Sequence, residues 1–597
     1  ILMDIYQILR TESSKAFKEL FDYQIELDQI QIELTTVDHI GDLTIVVFPL
    51  LRHSRKSPVE TATLLGEKLK QASEYIADFE VVKGFLNLLI ADEYWMNYLF
   101  SLLSNKEIVV QPNEKPLSYL IEYSSPNTNK PLHLGHIRNN LIGHSVSEIL
   151  KARGHQVTKA NLINDRGIHI CKSMVAWLKE GDGITPEIAS IKGDHFVGNF
   201  YVLFDKRYKE EIAQLIENGS SKEEAEKEAP IIQEAQQMLK KWESNDTDSR
   251  RVWAEMNAWV YAGFDTTYNR MGISFDKVYY ESNTYLLGKT IVEEGLQKGL
   301  FFRKEDGSVW VDLTEDGLDE KLLLRPDGTS VYMTQDLGTA QLKHDDFSPD
   351  KSVYIVGNEQ EYHFNVLKLI LKKLGKSFAE SVLHLSYGMV DLPEGRMKSR
   401  EGTVVDADDL MDEMQQTALD YILESGKTAD MDEAERRSLS EIVGLGALKF
   451  FILKTDIKKR MVFNPQESID FQGHTGPFVQ YTYARIKSII NKSNTANIEK
   501  LTYPVDFSLE TIEKDLLKKV YYYNNAIADA EKDMDPSQLA NYVYQLAKLY
   551  NKFYHDFPIL KEESINKKYF RLQLSWVVSQ LIDYFMKLLG IHVPERM

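Results

Sequence analysis

The chain of 597 residues is 43% hydrophobic and 27% charged, the balance of an ordinary soluble globular protein rather than a disordered or fibrous one. A net charge of −20 argues against indiscriminate nucleic-acid binding, and the single cysteine, Cys171, excludes an intramolecular disulfide. No apolar run reaches bilayer length, and the opening ILMDIYQILR lacks the basic start and cleavage site of a secretory signal, so the expected compartment is the cytoplasm.

Such a length predicts roughly three to five domains. Residues 1–112 combine helical starts with an alternating segment, Asp42 to Phe48, and two strands around a turn within Phe79 to Ile90. They predict a small α+β unit, closed by the linker Gln111 to Pro116. From Leu117 the pattern becomes strand (Tyr119 to Tyr123), helix (Ile137 to Lys151) and strand (Gln156 to Ile163). That βαβ order predicts a Rossmann-like parallel sheet over 117–395, with ligands at the carboxyl ends of its strands. A densely charged stretch with apolar residues at helical spacing, Lys206 to Arg251, predicts a helical insertion over about 176–270. Strand signals return at Gly307 to Asp312, Val353 to Val356 and Val382 to Val390, with a hairpin at Arg325-Pro-Asp-Gly328. The remainder reads as helical, a connecting unit over 396–470 and an all-α bundle over 471–597.

The most informative stretch is SSPNTNKPLHLGHIRNN, Ser124 to Asn140, which joins the first strand of the sheet to its helix. A loop at such a junction offers backbone N–H groups and the positive end of a helix dipole to an anion. His133 and His136 share one face of the first helical turn, and Gly135 between them lets a flat ring approach the backbone. A bare H-x-x-H is usually two solvated histidines; the whole loop is what predicts a nucleotide polyphosphate site built from imidazoles. Farther on, Tyr332 and Asp336 stand one helical turn apart, a phenol and a carboxylate suited to a planar guanidinium. Basic residues cluster at Arg52 to Lys56 and at Lys454 to Arg460.

His133-Leu-Gly-His136 resembles the H-I-G-H signature of class I aminoacyl-tRNA synthetases, and the longer string from Glu122 through SSPNTNKP to Arg138 resembles the arginyl-tRNA synthetase version. The second signature of the class, K-M-S-K-S, is matched by Arg396-Met397-Lys398-Ser399-Arg400. The match departs from the pattern: Ser399 stands where the second lysine belongs and Lys398 sits one place early. Arginyl enzymes often lack that lysine and resemble one another in an upstream one, here Lys130.

The resemblance implies arginine activation by ATP with Mg²⁺, then transfer to tRNA(Arg), by a monomer whose activation step waits for bound tRNA. It implies that His133, His136, Lys130, Arg396, Lys398 and Arg400 stabilise the transition state, and that Pro131, Leu132, Leu134, Gly135, His363, Met397 and Ser399 surround ATP, with Gln335 near the adenosine. Glu122, Tyr332 and Asp336 would hold the arginine side chain, with Ser124, Asn127 and Gln360 around the amino-acid head. Lys458, Lys459, Arg460, Tyr481 and Arg485, with Tyr483, would meet tRNA, and the N-terminal unit its elbow. Two rivals remain at this level: another adenylate-forming ligase of the superfamily, which would need no RNA grip, and a tRNA-binding paralogue without catalysis.

Overall fold

The computed structural model describes residues 4–35, 39–105, 107–393, 405–425, 428 and 430–597. Near the N-terminus, strands Ile32–Leu34, Leu43–Val46, Phe85–Ile90 and Ile76–Val82 form an antiparallel sheet in that spatial order. The last two are joined by Lys83 and Gly84, both in the left-handed region that a tight hairpin requires. Helix Pro58–Ala72, started by Ser57 accepting from the Glu60 N–H and by Pro58 in the first turn, packs on this sheet. The strand expected over Asp42 to Phe48 stops at Val46, because Pro49 opens a short 3₁₀ turn, Phe48–Leu50.

Five parallel strands make the central sheet: β1 (Ser118–Glu122), β2 (Gln156–Ile163), β3 (Lys277–Tyr280), β4 (Lys351–Gly357) and β5 (Val382–Tyr387). Their spatial order is β5-β4-β1-β2-β3, with Tyr119 opposite Val157 on one side and Lys351 on the other. The order reverses between β1 and β4, and the crevice beyond their carboxyl ends is where an open α/β sheet receives ligands. Helix α1 (Leu134–Ala152) follows β1 and is almost entirely buried, because helices pack on its other side as well. Leu120 and Ile121 of β1 are fully buried, each such side chain contributing about 1.5–3 kcal/mol of burial.

Between β2 and β3 lie the helices Ile168–Glu180, Gly193–Glu217, Pro230–Glu243 and Thr247–Met271. Between β3 and β4 a three-stranded antiparallel sheet, Phe301–Arg303, Val309–Val311 and Lys321–Leu324, leads into helix α2 (Tyr332–Phe347). Helix α3 (Glu361–Lys373) follows β4. The strand expected over Val382 to Val390 is broken into Val382–Tyr387 and Val390–Asp391. The break falls at Gly388, where a Cβ would lie 2.4 Å from the crossing backbone of Lys459. From Ala407 onward the described chain is helical apart from Met461–Val462, which pairs in parallel with Val390–Asp391. No helix among the described residues is long and apolar enough to cross a membrane.

Candidate active site

The first turn beyond β1 is held in an unusual backbone conformation. Ser124 and Ser125 have φ of 77° and 45°, the left-handed region that L side chains rarely adopt. Three elements secure them: Asn139 of α1 accepts from the Ser124 N–H at 2.6 Å, Asn161 of β2 accepts from the Ser125 N–H at 3.0 Å, and Ser124 Oγ meets the Tyr268 hydroxyl at 2.6 Å. Strain of this kind costs about 1–3 kcal/mol per residue and persists where the surroundings fix it, as at ligand sites. Asn127, exposed, pairs with Asn164 beyond β2. Lys130 and Pro131 are half-buried, with Gly198 of the helix Gly193–Glu217 close enough that a Cβ there would lie 3.0 Å from Pro131.

The two histidines cap α1 reciprocally. His133 Nδ1 accepts from the Gly135 N–H at 3.0 Å, and His136 Nδ1 accepts from the His133 N–H at 3.2 Å. The helix therefore begins at Leu134 rather than at the expected Ile137. Burial, followed by the charge of Lys130, pushes His133 down to about 4; burial, His133 and Lys130 hold His136 well below the ordinary imidazole value. With each Nδ1 accepting, the proton of each neutral ring resides on Nε2, which gives two hydrogen-bond donors 4.0 Å apart between ring centres at a helix N-terminus. Gly135 serves this arrangement in a way the sequence did not indicate. The ring that approaches its backbone is that of His133, whose Cε1 would lie 2.8 Å from a Cβ.

Leu132 and Leu134 point into the core, while their backbones pair with a distant segment. Leu134 N–H donates to Val405 O and Ala407 N–H donates to Leu132 O, both at 2.9 Å, with His133 opposite Asp406. Arg138, fully buried on α1, donates to the carbonyls of Met389, Ile457 and Lys459 at 3.1, 3.2 and 2.9 Å. Burial lowers its pKa to about 10. The histidine helix thereby holds the chain at Met389 and at Ile457–Lys459, and pairs with it again at Val405–Ala407. Arg396, Met397, Lys398, Ser399 and Arg400 lie outside the described residues.

At the carboxyl ends of β1 and β3 and on α2 are three acidic side chains, each with a basic neighbour. Glu122 at the end of β1 lies 2.5 Å from Lys343 of α2. Asp336, also on α2, lies 2.5 Å from His363 of α3. Glu281, directly after β3, has Arg166 at 3.8 Å, with Asp165, Asp336 and Gln335 around it. Burial, reinforced by the charges of Asp165 and Asp336 and opposed by Arg166, pushes Glu281 up to about 7. Tyr332 opens α2 and is 80% exposed, and Gln360 is exposed in the turn after β4. Sequence reasoning missed Glu281, Arg166 and Lys343, although Glu281 and Lys343 each carried a local signal. Glu281 stands directly after its strand, close to the place at which Glu122 ends β1, and Lys343 follows Asp336 by seven residues, two helical turns on the same face.

Tyr481 and Arg485, on the helix Gly476–Lys492, line a cavity of about 530 Å³ together with Tyr421, Phe471, Phe478 and Met597. The Arg485 guanidinium lies 4.9 Å from the Tyr481 ring centre and 5.1 Å from that of Tyr554. Tyr483 is buried in the bundle instead. Lys458, Lys459 and Arg460 are exposed, Arg460 pairing with Asp391 at 2.5 Å.

The chain matches three protein families: "tRNA synthetases class I (R), catalytic domain" over residues 99–464, "DALR anticodon binding domain" over 479–597, and "Arginyl tRNA synthetase N terminal domain" over 7–90. It is 54% identical over 598 residues to the arginine–tRNA ligase of Porphyromonas gingivalis and 53% identical over 597 residues to that of Bacteroides fragilis, covering 100% of both chains in each case. Its fold is similar to that of Thermus thermophilus arginyl-tRNA synthetase, with a TM-score of 0.77, 24% identity and full coverage of both chains.

Proposed function

The chain belongs to the arginyl-tRNA synthetases, and from that premise we propose how its residues divide the work of an arginine–tRNA ligase. The enzyme joins L-arginine to tRNA(Arg) in two steps. In the first, the arginine carboxylate attacks the α-phosphorus of ATP, forming the arginyl-adenylate and releasing pyrophosphate. In the second, a hydroxyl of the terminal ribose of the tRNA displaces AMP. Neither step needs a covalent nucleophile from the protein, so catalysis rests on positioning and on electrostatic stabilisation.

The reading of the site is carried by one observation, the pair of neutral imidazoles that cap α1 just beyond β1, the strand that Glu122 ends. His133 and His136 donate through Nε2 to the phosphate oxygens as charge builds there, and Lys130 adds a cation from the same loop. Arg396, Lys398 and Arg400 supply further positive charge. Magnesium bound with ATP would supply charge against the pyrophosphate oxygens, beside these side chains. A resident metal is not required at Asp194, His195 and Asp408, whose donors lie close together, because the Lys192 ammonium sits 3.0 Å from Asp194 and 2.6 Å from Asp408 and supplies the cation there. Glu122, Asp336 and Glu281 receive the guanidinium, with Tyr332 beside the aliphatic stem. Ser124, Asn127 and Gln360 lie nearer the amino-acid head, and His363 and Gln335 nearer the adenosine.

The cavity around Tyr481 and Arg485 suits an unstacked base beside a phosphate. The exposed cations Lys458, Lys459 and Arg460 give the tRNA backbone a surface on an otherwise acidic protein. We place the enzyme in the cytoplasm, acting as a monomer. Arginine-dependent ATP–pyrophosphate exchange, run with and without tRNA(Arg) and with lysine and citrulline as controls, tests the scheme. Exchange that requires both arginine and tRNA is expected, whereas exchange with arginine alone removes the tRNA requirement.

A further inference from the structure

We propose that Lys192 is a positioning residue for the imidazole pair, acting through Asp408 on the backbone that flanks His133. The inference rests on the assignment of His133 and His136 to the ATP phosphates. Lys192 precedes the helix Gly193–Glu217, and its ammonium reaches three helices at once. It lies 3.0 Å from Asp194 Oδ2, 2.5 Å from Thr267 Oγ1 of the helix Thr247–Met271, and 2.6 Å from Asp408 Oδ2, on the helix Ala407–Ser425. Asp408 also accepts from Thr267 Oγ1 at 3.0 Å and meets His195 Nε2 at 3.0 Å, and His195 lies 3.4 Å from Asp406 as well.

The network is built into the interior rather than laid on the surface. Asp194 is fully buried, and Gly263 makes room for it, since a Cβ there would lie 2.4 Å from its carboxylate. Buried or half-buried charges paired with this geometry hold backbone in one place far better than exposed pairs do. What they hold is the start of the helix Ala407–Ser425. Asp406 Oδ1 accepts from the N–H groups of Asp408 and Asp409 at 2.8 and 3.1 Å, so Asp408 cannot move without Asp406. Asp406 in turn lies opposite His133, between the two backbone hydrogen bonds that tie Leu132 and Leu134 to Ala407 and Val405. A displacement at Lys192 thus reaches the peptide groups on both sides of the first catalytic histidine, without Lys192 touching substrate.

The test is steady-state aminoacylation by the full chain with Lys192→Met, Lys192→Arg and Thr267→Val, together with thermal unfolding of each. The expected result for Lys192→Met is a fall of about tenfold or more in kcat/KM for ATP, with KM for arginine within about twofold of wild type. Lys192→Arg should recover most of that loss, and Thr267→Val, which keeps every charge, should shift the ATP parameters in the same direction by a smaller factor. A merely structural role would lower the melting temperature while leaving the ATP and arginine parameters of the folded enzyme alike. Unchanged ATP parameters in Thr267→Val and in folded Lys192→Met would overturn the inference. Should Lys192→Met not fold, Thr267→Val decides alone. Wild-type enzyme assayed in parallel separates the two failures, because an inactive wild type would overturn the reading of the site and not this inference alone.

Discussion

The Lys343 ammonium lies 2.5 Å from the Glu122 carboxylate, with the two side chains 1% and 9% exposed. Burial alone would strip the charge from Lys343, but Glu122 and Tyr354, whose ring centre is 4.3 Å away, more than offset it and hold its pKa above the ordinary lysine value. Removing one partner of such a pair leaves an uncompensated buried charge, at a cost of about 3–5 kcal/mol. Lys343→Met is therefore expected to lower the melting temperature sharply, and Glu122→Gln combined with Lys343→Met to restore part of the loss. Thermal unfolding of the two single variants and the double variant checks this. Strictly additive effects would show that the pair is not coupled.

A second prediction concerns Glu281. Its carboxyl is held at about 7 by burial first and by neighbouring carboxylates second, so it is largely protonated at pH 6 and ionised at pH 8. A guanidinium binds the ionised form, so KM for arginine should fall as pH rises across that interval, by up to about tenfold per unit below the pKa. The sign for stability is opposite. An acid whose pKa is raised on folding favours the folded state at low pH and loses that contribution as pH rises above its unfolded value of about 4.5 and through 7. Glu281→Gln should remove both dependences and raise KM at pH 8. A pH profile of KM for arginine that is the same in the variant and the wild type would take Glu281 out of the pocket.

Particular residues show what the sequence made legible. The loop Ser124 to Asn140 was legible as a strand–turn–helix junction because strand, turn and helix signals coincide there with two histidines, all local in sequence. Glu122 and Asp336 could be placed because one ends a strand and the other sits one turn into a helix. Their partners Lys343 and His363 were a different matter. Lys343 reads as an ordinary helical lysine until the sheet brings β1 against the face of α2, and His363 appeared only as a residue of the adenosine pocket, not as the partner of Asp336. The same holds for Lys192 and Asp408, which are 216 residues apart in the chain and meet through one atom pair. Periodicity reports which face of an element is buried, and not which distant charge that face will meet. Boundaries slipped for a related reason: the start of α1 was set by side-chain capping and the break at Gly388 by a crossing backbone.

In the proposed division of work, Lys130 supplies the charge that the stretch Arg396 to Arg400 lacks at Ser399. Its proximity to the imidazoles is visible in the way its charge helps keep both of them neutral. Removing one preorganised group that faces developing negative charge typically costs about 10²–10³ in kcat. Lys130→Ala is expected to lose activity on that scale, with KM for arginine little changed. Arginine activation within a few-fold of wild type would dismiss Lys130 from the phosphate site.

Histidines with depressed pKa values make a further prediction about the acid limb of the rate. Because burial holds His133 at about 4 and His136 well below its ordinary value, neither ring gains a proton between pH 8 and pH 6. The profile of kcat/KM for ATP should show no inflection near 6.5 that is lost on replacing either ring by asparagine. An inflection there that disappears in His133→Asn or His136→Asn would mean that the reacting form is an imidazolium.

Gly135 offers the sharpest separation of stability from catalysis. An alanine Cβ would lie 2.8 Å from His133 Cε1 and 3.1 Å from its Nδ1, and the imidazole is what must swing aside, since among the described residues no backbone stands within 4 Å of that Cβ outside the helix itself. The swing breaks the cap between His133 Nδ1 and the Gly135 N–H, at a cost of about 0.5–2 kcal/mol. Alanine in place of glycine within a helix returns about 0.5–1 kcal/mol. The two effects nearly cancel, so Gly135→Ala should melt within a few degrees of wild type. The His133 Nε2–H, however, no longer points where its partner His136 points, and the ring pair ceases to be a single donor site. Activity should therefore fall by about two orders of magnitude, as for loss of a preorganised donor. A variant that melts normally and still exchanges pyrophosphate at the wild-type rate would show that the orientation of His133 does not matter for catalysis.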